Sequence, residues 1–410
     1  MNNTIKLAVA AALLAGASSA NAGIMIPAGD WTLDIGGIVN TYYTNTRATG
    51  AFTNLPDGFA VLGGANEGRQ KTISNITTGL LPNYLSVSGK TRQNDLDVGF
   101  SISINPGSST TNSGIQTEPN NQENRQAFLT FGDKSWGSIK LGKDLGIYAS
   151  DAILNDMTLL GVGSGAGFLA GNTTTLGRIG TGFMYADWKS QIAYSSPNWN
   201  GFSFTAGVTQ AWNAISAPNN PFLSDETLSR GGSSPAFEGK ASYEWAGDVG
   251  GKVWVSGITQ NIEGLGPLGN RDDDASAFDI GATINIAGFG LTGYYGQGEG
   301  TGTTVLFRDG YDANGNARDS DDWYVQGTYT LPGVGTKLGV SYGESTLEGN
   351  GASDPGLGNA EYSNMMWTVG AYHPLTKHLN LVAEYSNVET EIGNAEGKSK
   401  TVSLGAILFF

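Results

Sequence analysis

The chain predicts a transmembrane antiparallel β-barrel of about 16 strands, an all-β fold, on three observations. It ends inside a strand: Thr401, Ser403 and Gly405 alternate with Val402, Leu404, Ala406, Leu408 and Phe410, polar or small on one face and apolar on the other. The same period of two returns along the whole chain in runs of roughly 8 to 12 residues separated by turn residues. Outside the N-terminus, no segment approaches the roughly 18 apolar residues of a spanning helix. A strand at the very end of a chain needs a neighbour, and pairing with the first strand removes both edges. Apolar-out, polar-in strands closed in this way face lipid, which points to a bacterial outer membrane.

Residues 1–22 carry one basic residue, Lys6, then an apolar run from Leu7, then Ala20-Asn21-Ala22 in the form of a cleavage site. They are read as a removed Sec signal peptide, leaving residues 23–410 as one barrel domain. The first strand runs through Trp31, Leu33, Ile35, Gly37 and Val39, with Thr32, Asp34, Gly36 and Asn40 opposite; a Gly- and Asn-rich loop is expected from there to about Pro82. A hairpin follows, with Leu85 and Val87 outward, Ser86, Ser88, Lys90 and Arg92 opposite, a turn at Asn94-Asp95, and a return through Leu96, Val98, Phe100, Ile102 and Ile104. Further pairs straddle Asp133-Lys134, Pro197-Asn198, 246–250, Ala287-Gly288, Pro332-Gly333 and Pro374-Leu375. With the first and last strands this makes about 16 strands, roughly eight longer loops and seven short turns. A barrel of that size leaves an aqueous hole. Tyr42, Tyr43, Trp199, Trp245, Trp323, Tyr329, Tyr372 and Phe410 are read as interfacial girdles.

Composition limits the function. With no Cys there are neither disulfides nor thiolate metal sites, and a net charge of −15 opposes nucleic acid as a partner while favouring cations in a pore. With 62 Gly and no compositional break, one large unit of alternating strands is the simplest organisation. Asp312 to Asn316 and Arg271 to Asp274 lack the spacing of a calcium loop and read as solvated loops. His373 and His378 flank a turn, the Gly161 to Gly165 string lacks a phosphate-loop lysine, and no nucleophile, base and acid set stands out, so neither enzyme activity nor a cofactor is expected.

Strand signals fail over more than about 30 residues after Lys143. This stretch carries Ile147, Ile153, Leu154, Leu159, Leu160 and Phe168, apolar residues that need something to pack on, and Asp144, Asp151 and Asp156. Folding into the barrel satisfies both, with the carboxylates against basic side chains on the wall.

Arg125-Gln126-Ala127-Phe128, Trp136 to Lys143, Asp151 to Met157, Gly177-Arg178-Ile179-Gly180 and Tyr194 to Phe202 resemble, in order, the central region of Gram-negative general porins. The resemblance implies a 16-stranded barrel, a homotrimer, and a third loop folded inward to form a charged constriction through which small hydrophilic solutes and ions diffuse passively. It also implies contact with outer-membrane lipid and lipopolysaccharide, and delivery to the barrel-assembly machinery through Phe410. By motif, Arg125 and Arg178 are members of the basic cluster and Asp156 is an acid facing them. Asp151, Asp144, Lys143, Lys140, Arg92 and Lys90 complete the candidate set. Two departures stand out: Leu159-Leu160 where a second acid is frequent, and Gly36-Gly37 where a base is. Turning Arg125 inward would turn Leu129 and Phe131 inward too, unless a bulge intervenes. A substrate-selective porin and a loop-based receptor or adhesin are the alternatives. Lys240, Lys252 and Lys337 are too scattered to establish the ladder that a selective porin needs.

Overall fold

A period of two carried over almost the entire chain builds a single closed sheet. The computed structural model describes residues 23–50, 72–108, 122–164, 174–215, 228–231, 233–304 and 307–410. In chain order the strands are β1 (Ile24–Ala28), β2 (Trp31–Gly50), β3 (Thr72–Thr77), β4 (Tyr84–Gln93), β5 (Leu96–Pro106), β6 (Gln122–Glu123), β7 (Ala127–Asp133), β8 (Gly137–Leu145), β9 (Trp188–Ser195), β10 (Phe202–Thr209), β11 (Ala214–Ile215) and β12 (Leu228–Gly231). They continue as β13 (Ala236–Trp245), β14 (Val249–Leu265), β15 (Arg271–Ile286), β16 (Phe289–Glu299), β17 (Asp319–Thr330), β18 (Lys337–Glu348), β19 (Glu361–Pro374), β20 (Leu379–Ile392) and β21 (Ala395–Phe409). One short helix, α1 (Ser150–Asn155), and a 3₁₀ turn (Met157–Leu160) follow β8. Every pairing between strands is antiparallel, and the short segments β1, β3, β6, β11 and β12 supplement a closed barrel of sixteen strands. No helix among the described residues is long and apolar enough to cross a membrane.

Closure rests on β2, whose two neighbours are each split. On one side it pairs with β1 at Trp31 to Ile35 and then with β21 from Ile38 to Gly50; on the other it pairs with β4 and then β3. Between β1 and β21 the chain end fills the ladder: Gly37 N donates to Phe410 O at 2.7 Å and Phe410 N to Gly37 O at 3.0 Å. The Gly36-Gly37 departure now has a physical reason. A Cβ on Gly37 would meet Tyr84 O at 2.3 Å and the Phe410 ring at 2.7 Å.

Alternation places Val402, Leu404 and Leu408 outward and buries Thr401 and Ser403 inside, as expected of the last strand. All the expected turns lie between strands; Asn94 and Asp95 take φ of 49° and 62°, the left-handed pair that tight hairpins need. The first strand does not stop near Asn40 but continues to Gly50, and residues 72–77, assigned to loop, are strand β3. The run Thr41-Tyr42-Tyr43-Thr44 has good β propensity but no apolar alternation, so its period is invisible until its partners are known. The expected eighth long loop is a turn at Gly393-Asn394.

Aromatic pairs gather at two levels. Trp323 with Tyr342 and Trp367 with Tyr385, each at 5.3 Å between centroids, lie near the middle of their strands. Phe289 with Tyr329 at 4.3 Å and Tyr243 with Trp245 at 6.1 Å lie beside short turns. Tyr42 and Tyr372 were expected here, but both point inward, 1% and 2% exposed, because the Tyr42-Tyr43 parity puts the first ring inside and a loop carbonyl or carboxylate takes each hydroxyl. The expected signal peptide and Phe168 fall outside the described residues.

Any side chain at Gly37 must displace backbone or the Phe410 ring. Gly37→Val is therefore expected to cost at least about 1–3 kcal/mol through overpacking at the seam. The check is the fraction of unheated protein that runs as the compact species in detergent gels, which should fall sharply.

Candidate functional site

The segment between β8 and β9 is the third of the long connections, and its described parts, 146–164 and 174–187, fold into the barrel. Wall carboxylates hold it at two places by the same device. Glu238 on β13 accepts the backbone N–H groups of Ile147 at 2.7 Å and Tyr148 at 2.9 Å; Glu384 on β20 accepts those of Val162 at 2.8 Å and Gly163 at 2.9 Å. A short segment in this region has more orphan backbone donors than a regular helix, and two successive N–H groups aimed at one carboxylate satisfy them with charge-assisted bonds. Between these pins, Tyr324 on β17 donates its hydroxyl to Ala152 O, and Gln326 accepts from Met157 N while donating to Asn155 O. Of the apolar residues expected to need a partner, Ile153 and Leu159 are buried with Tyr42, Trp254, Tyr294 and Tyr324 of the wall, and Leu154 and Leu160 pack against the same cluster, which also takes in Val162. Leu159-Leu160 thus stand where an acid was looked for because they anchor the loop.

The candidate charges distribute as follows. Asp151 on α1 meets two wall lysines, Lys252 Nζ at 2.6 Å and Lys240 Nζ at 3.1 Å, and Lys240 also donates to Ser150 Oγ. Burial pushes the Asp151 carboxyl up, but the two ammonium groups outweigh it and hold it below the usual carboxylate range. Lys240 and Lys252, dismissed as scattered, converge because register sets Lys240 opposite Ser256 and Lys252 opposite Glu244, on the inner face of adjacent strands.

Asp156 caps the 3₁₀ turn through Thr158 N and Oγ1 and lies 3.9 Å from Arg178 Nε. Both side chains are 0% exposed, so this pair does not line open water. Arg178 instead donates to Thr181 O and to Met366 O on β19, and lies 5.8 Å from the Tyr324 ring centroid. It fastens the returning arm of the loop to the wall.

Lys140 and Asp144 form an ion pair on the inner face of β8, and Gln126 donates to Asp144 at 2.9 Å. Arg125 escapes the strand parity as a bulge allows: pairing with β5 shifts by one residue between Ile102–Ala127 and Asn105–Glu123, leaving Leu129 outward. Its guanidinium binds Glu123 at 2.7 Å and sits 5.9 Å from the Trp188 ring centroid, away from Asp156. Two candidates are misplaced. Lys143 shares the outward face of Leu141, because β8 continues to Leu145 and alternation continues with it. Arg92 lies at a short turn, bound to Asp97 and Asp133. Lys90 is on the inner face, exposed, with no ion pair among the described residues.

As expected of the inward loop, Asp144 and Asp151 lie against basic side chains of the wall, while Asp156 meets only the buried Arg178 of the loop's own returning arm. The water-accessible polar surface is on the other side, where Ser86, Ser88 and Lys90 of β4, Thr130 of β7, Lys140 of β8, and Ser203 and Thr205 of β10 remain partly or fully exposed on inner faces.

A family model described as Gram-negative porin matches residues 8–393. This chain is a Gram-negative porin. Among solved structures it is similar to the outer membrane channel DcaP of Acinetobacter baumannii, at 17% identity and a TM-score of 0.67 over 95% of this chain and 100% of that one. It is also similar to the anion-selective porin from Comamonas acidovorans (15%, TM-score 0.59, 93% and 100%) and to OmpT of Vibrio cholerae in a trimer form (14%, 0.53, 93% and 99%). No curated protein matches the sequence. A porin with this barrel is an outer-membrane channel for passive diffusion.

Glu384→Ala would orphan the amides of Val162 and Gly163. With roughly 1–3 kcal/mol for each buried donor left unpaired, the loop should loosen markedly. Amide exchange at Val162 and Gly163 reads this directly: both should lose protection while β19–β21 keep theirs.

Proposed function

We propose that this porin is a general diffusion channel for small hydrophilic solutes and ions, whose path runs beside the third loop rather than through a wide transverse field. The supporting observation is the uncovered polar inner wall from β4 to β10, opposite a loop seated on β13 to β20. In this reading Asp151 with Lys240 and Lys252 is the charged edge of the constriction, Lys140 with Asp144 marks its far side, and Lys90 adds a cation lower on the wall. Because Asp151 and Asp144 sit in contact with their bases, their fields partly cancel within a few ångströms, and solutes are sorted by size more than by sign.

A homotrimer fits this reading. On the outer face, Tyr43 Oη and Asn45 Nδ2 both contact Ser74 Oγ, at the level of lipid-facing Leu404 and Val402. Polar groups at that height are costly against hydrocarbon and are covered when a neighbouring subunit packs there. Export through a removed leader at residues 1–22, contact with lipopolysaccharide and assembly through Phe410 belong to the same reading.

The test is planar-bilayer recording in a salt gradient. Asp151→Asn leaves Lys240 without its carboxylate and Lys252 with only Glu244, 3.2 Å away. The reversal potential is expected to move toward anions; the wild-type value in a conducting variant would remove Asp151 from the constriction.

A further inference from the structure

A second segment also folds inward. The connection between β16 and β17, described at residues 300–304 and 307–318, was read as solvated, yet Thr301, Thr303, Thr304, Phe307, Arg308 and Tyr311 are all buried. Phe307 meets Trp212 edge-on at 5.0 Å between centroids, within an apolar cluster that includes Tyr148, Ala149 and Met184 of the third loop and Ile258 and Ile262 of β14. Tyr185 N donates to Thr304 O at 3.0 Å, and a Cβ on Gly180 would come within 2.2 Å of Thr304 Cγ2. The segment therefore lies on both arms of the third loop, outgoing and returning. Its tight course needs Gly302, at φ +67°, where a Cβ would stand 1.9 Å from Arg308 O.

Arg318 organises this segment. Its backbone closes the segment's base, donating to Gly310 O at 2.7 Å and accepting from Gly300 N at 3.0 Å. Its guanidinium donates Nη1 to Asp309 O at 2.8 Å, and Nε and Nη2 to the two oxygens of Asp354, each at 2.7 Å. Asp354, between β18 and β19, also accepts the amides of Gly356, Leu357 and Asn350. A bidentate, buried pair with its remaining lone pairs satisfied is among the strongest polar contacts available to a loop. Burial raises the Asp354 carboxyl, but Arg318 and these amides together hold it well below the usual range. A depressed carboxyl keeps its partner down to the folded value, so the clasp persists at neutral and mildly acid pH.

We infer that the segment described at 300–304 and 307–318 is a second constriction element, and that Arg318, clasped to Asp354, is the positioning residue that holds it down on the third loop and so sets the channel's size limit. This rests on the diffusion-channel reading above. The two loops share one apolar cluster, so the third loop cannot widen the path until the upper segment lifts.

The experiment measures the exclusion limit for neutral polyethylene glycols in planar bilayers, with wild type, Arg318→Met, Asp354→Asn and the double variant. Each is first checked as the compact species in unheated detergent gels, and Asp354→Asn, which keeps shape and loses only charge, decides if Arg318→Met does not fold. Expected is a shift of the limit to larger polymers in each single variant, with no further shift in the double. A folded variant with the wild-type limit overturns the inference and leaves the channel reading standing. A wild-type protein that forms no conducting pore sinks both.

Discussion

Inside hydrocarbon there is no water to receive a backbone N–H or C=O, so a sheet must close or fail. In this porin that condition is met at one place, where β2 finds β1 and β21 along one edge and the gap between them is bridged by Gly37 and Phe410 exchanging both backbone hydrogen bonds. The number of strands, the inward and outward faces and the width of the lumen all follow once that ladder is complete. The terminal phenylalanine and the two glycines opposite it are therefore one device seen from two ends of the chain.

Closure creates an interior far wider than side chains alone fill. The protein folds its own third loop into it, and the energetic problem becomes one of unpaired amides. The wall answers with acids: Glu238 and Glu384 each take two consecutive N–H groups, while Arg178 takes carbonyls of the returning arm and the wall. Arg178, which the resemblance places in the basic cluster of the constriction, thus serves to anchor the loop. In the proposed path the remaining charge is the edge around Asp151 and the bases on the opposite wall.

The barrel, its turns and the inward third loop were legible because each has a local signature: alternation, paired turn residues, and a long stretch in which alternation lapses but apolar residues persist. What was not legible depends on partners far apart in sequence. Lys240 and Lys252 meet Asp151 only through strand register and a loop about ninety to a hundred positions earlier. Asp354 looks like any acid in a Gly-rich loop until Arg318, 36 positions away, closes on it. Tyr42 and Tyr43 are chemically identical neighbours, and the alternation of Val39 and Asn40 decides between them only once the strand is known to run past Asn40. Lys143 misled for the opposite reason: taken as a base that completes the cluster, it is placed with Leu141 on the outer face by an alternation that is local and readable.

The two carboxylate pins lie on β13 and β20, seven positions apart in a ring of sixteen and so almost diametrically opposed. A thin cylinder squeezed from the side goes oval easily, because bending a sheet about its strand axes disturbs few hydrogen bonds. A cross-brace fixed at both ends of a near-diameter resists that deformation. The third loop therefore works mechanically as a strut, joined to both walls by paired amides and packed side chains.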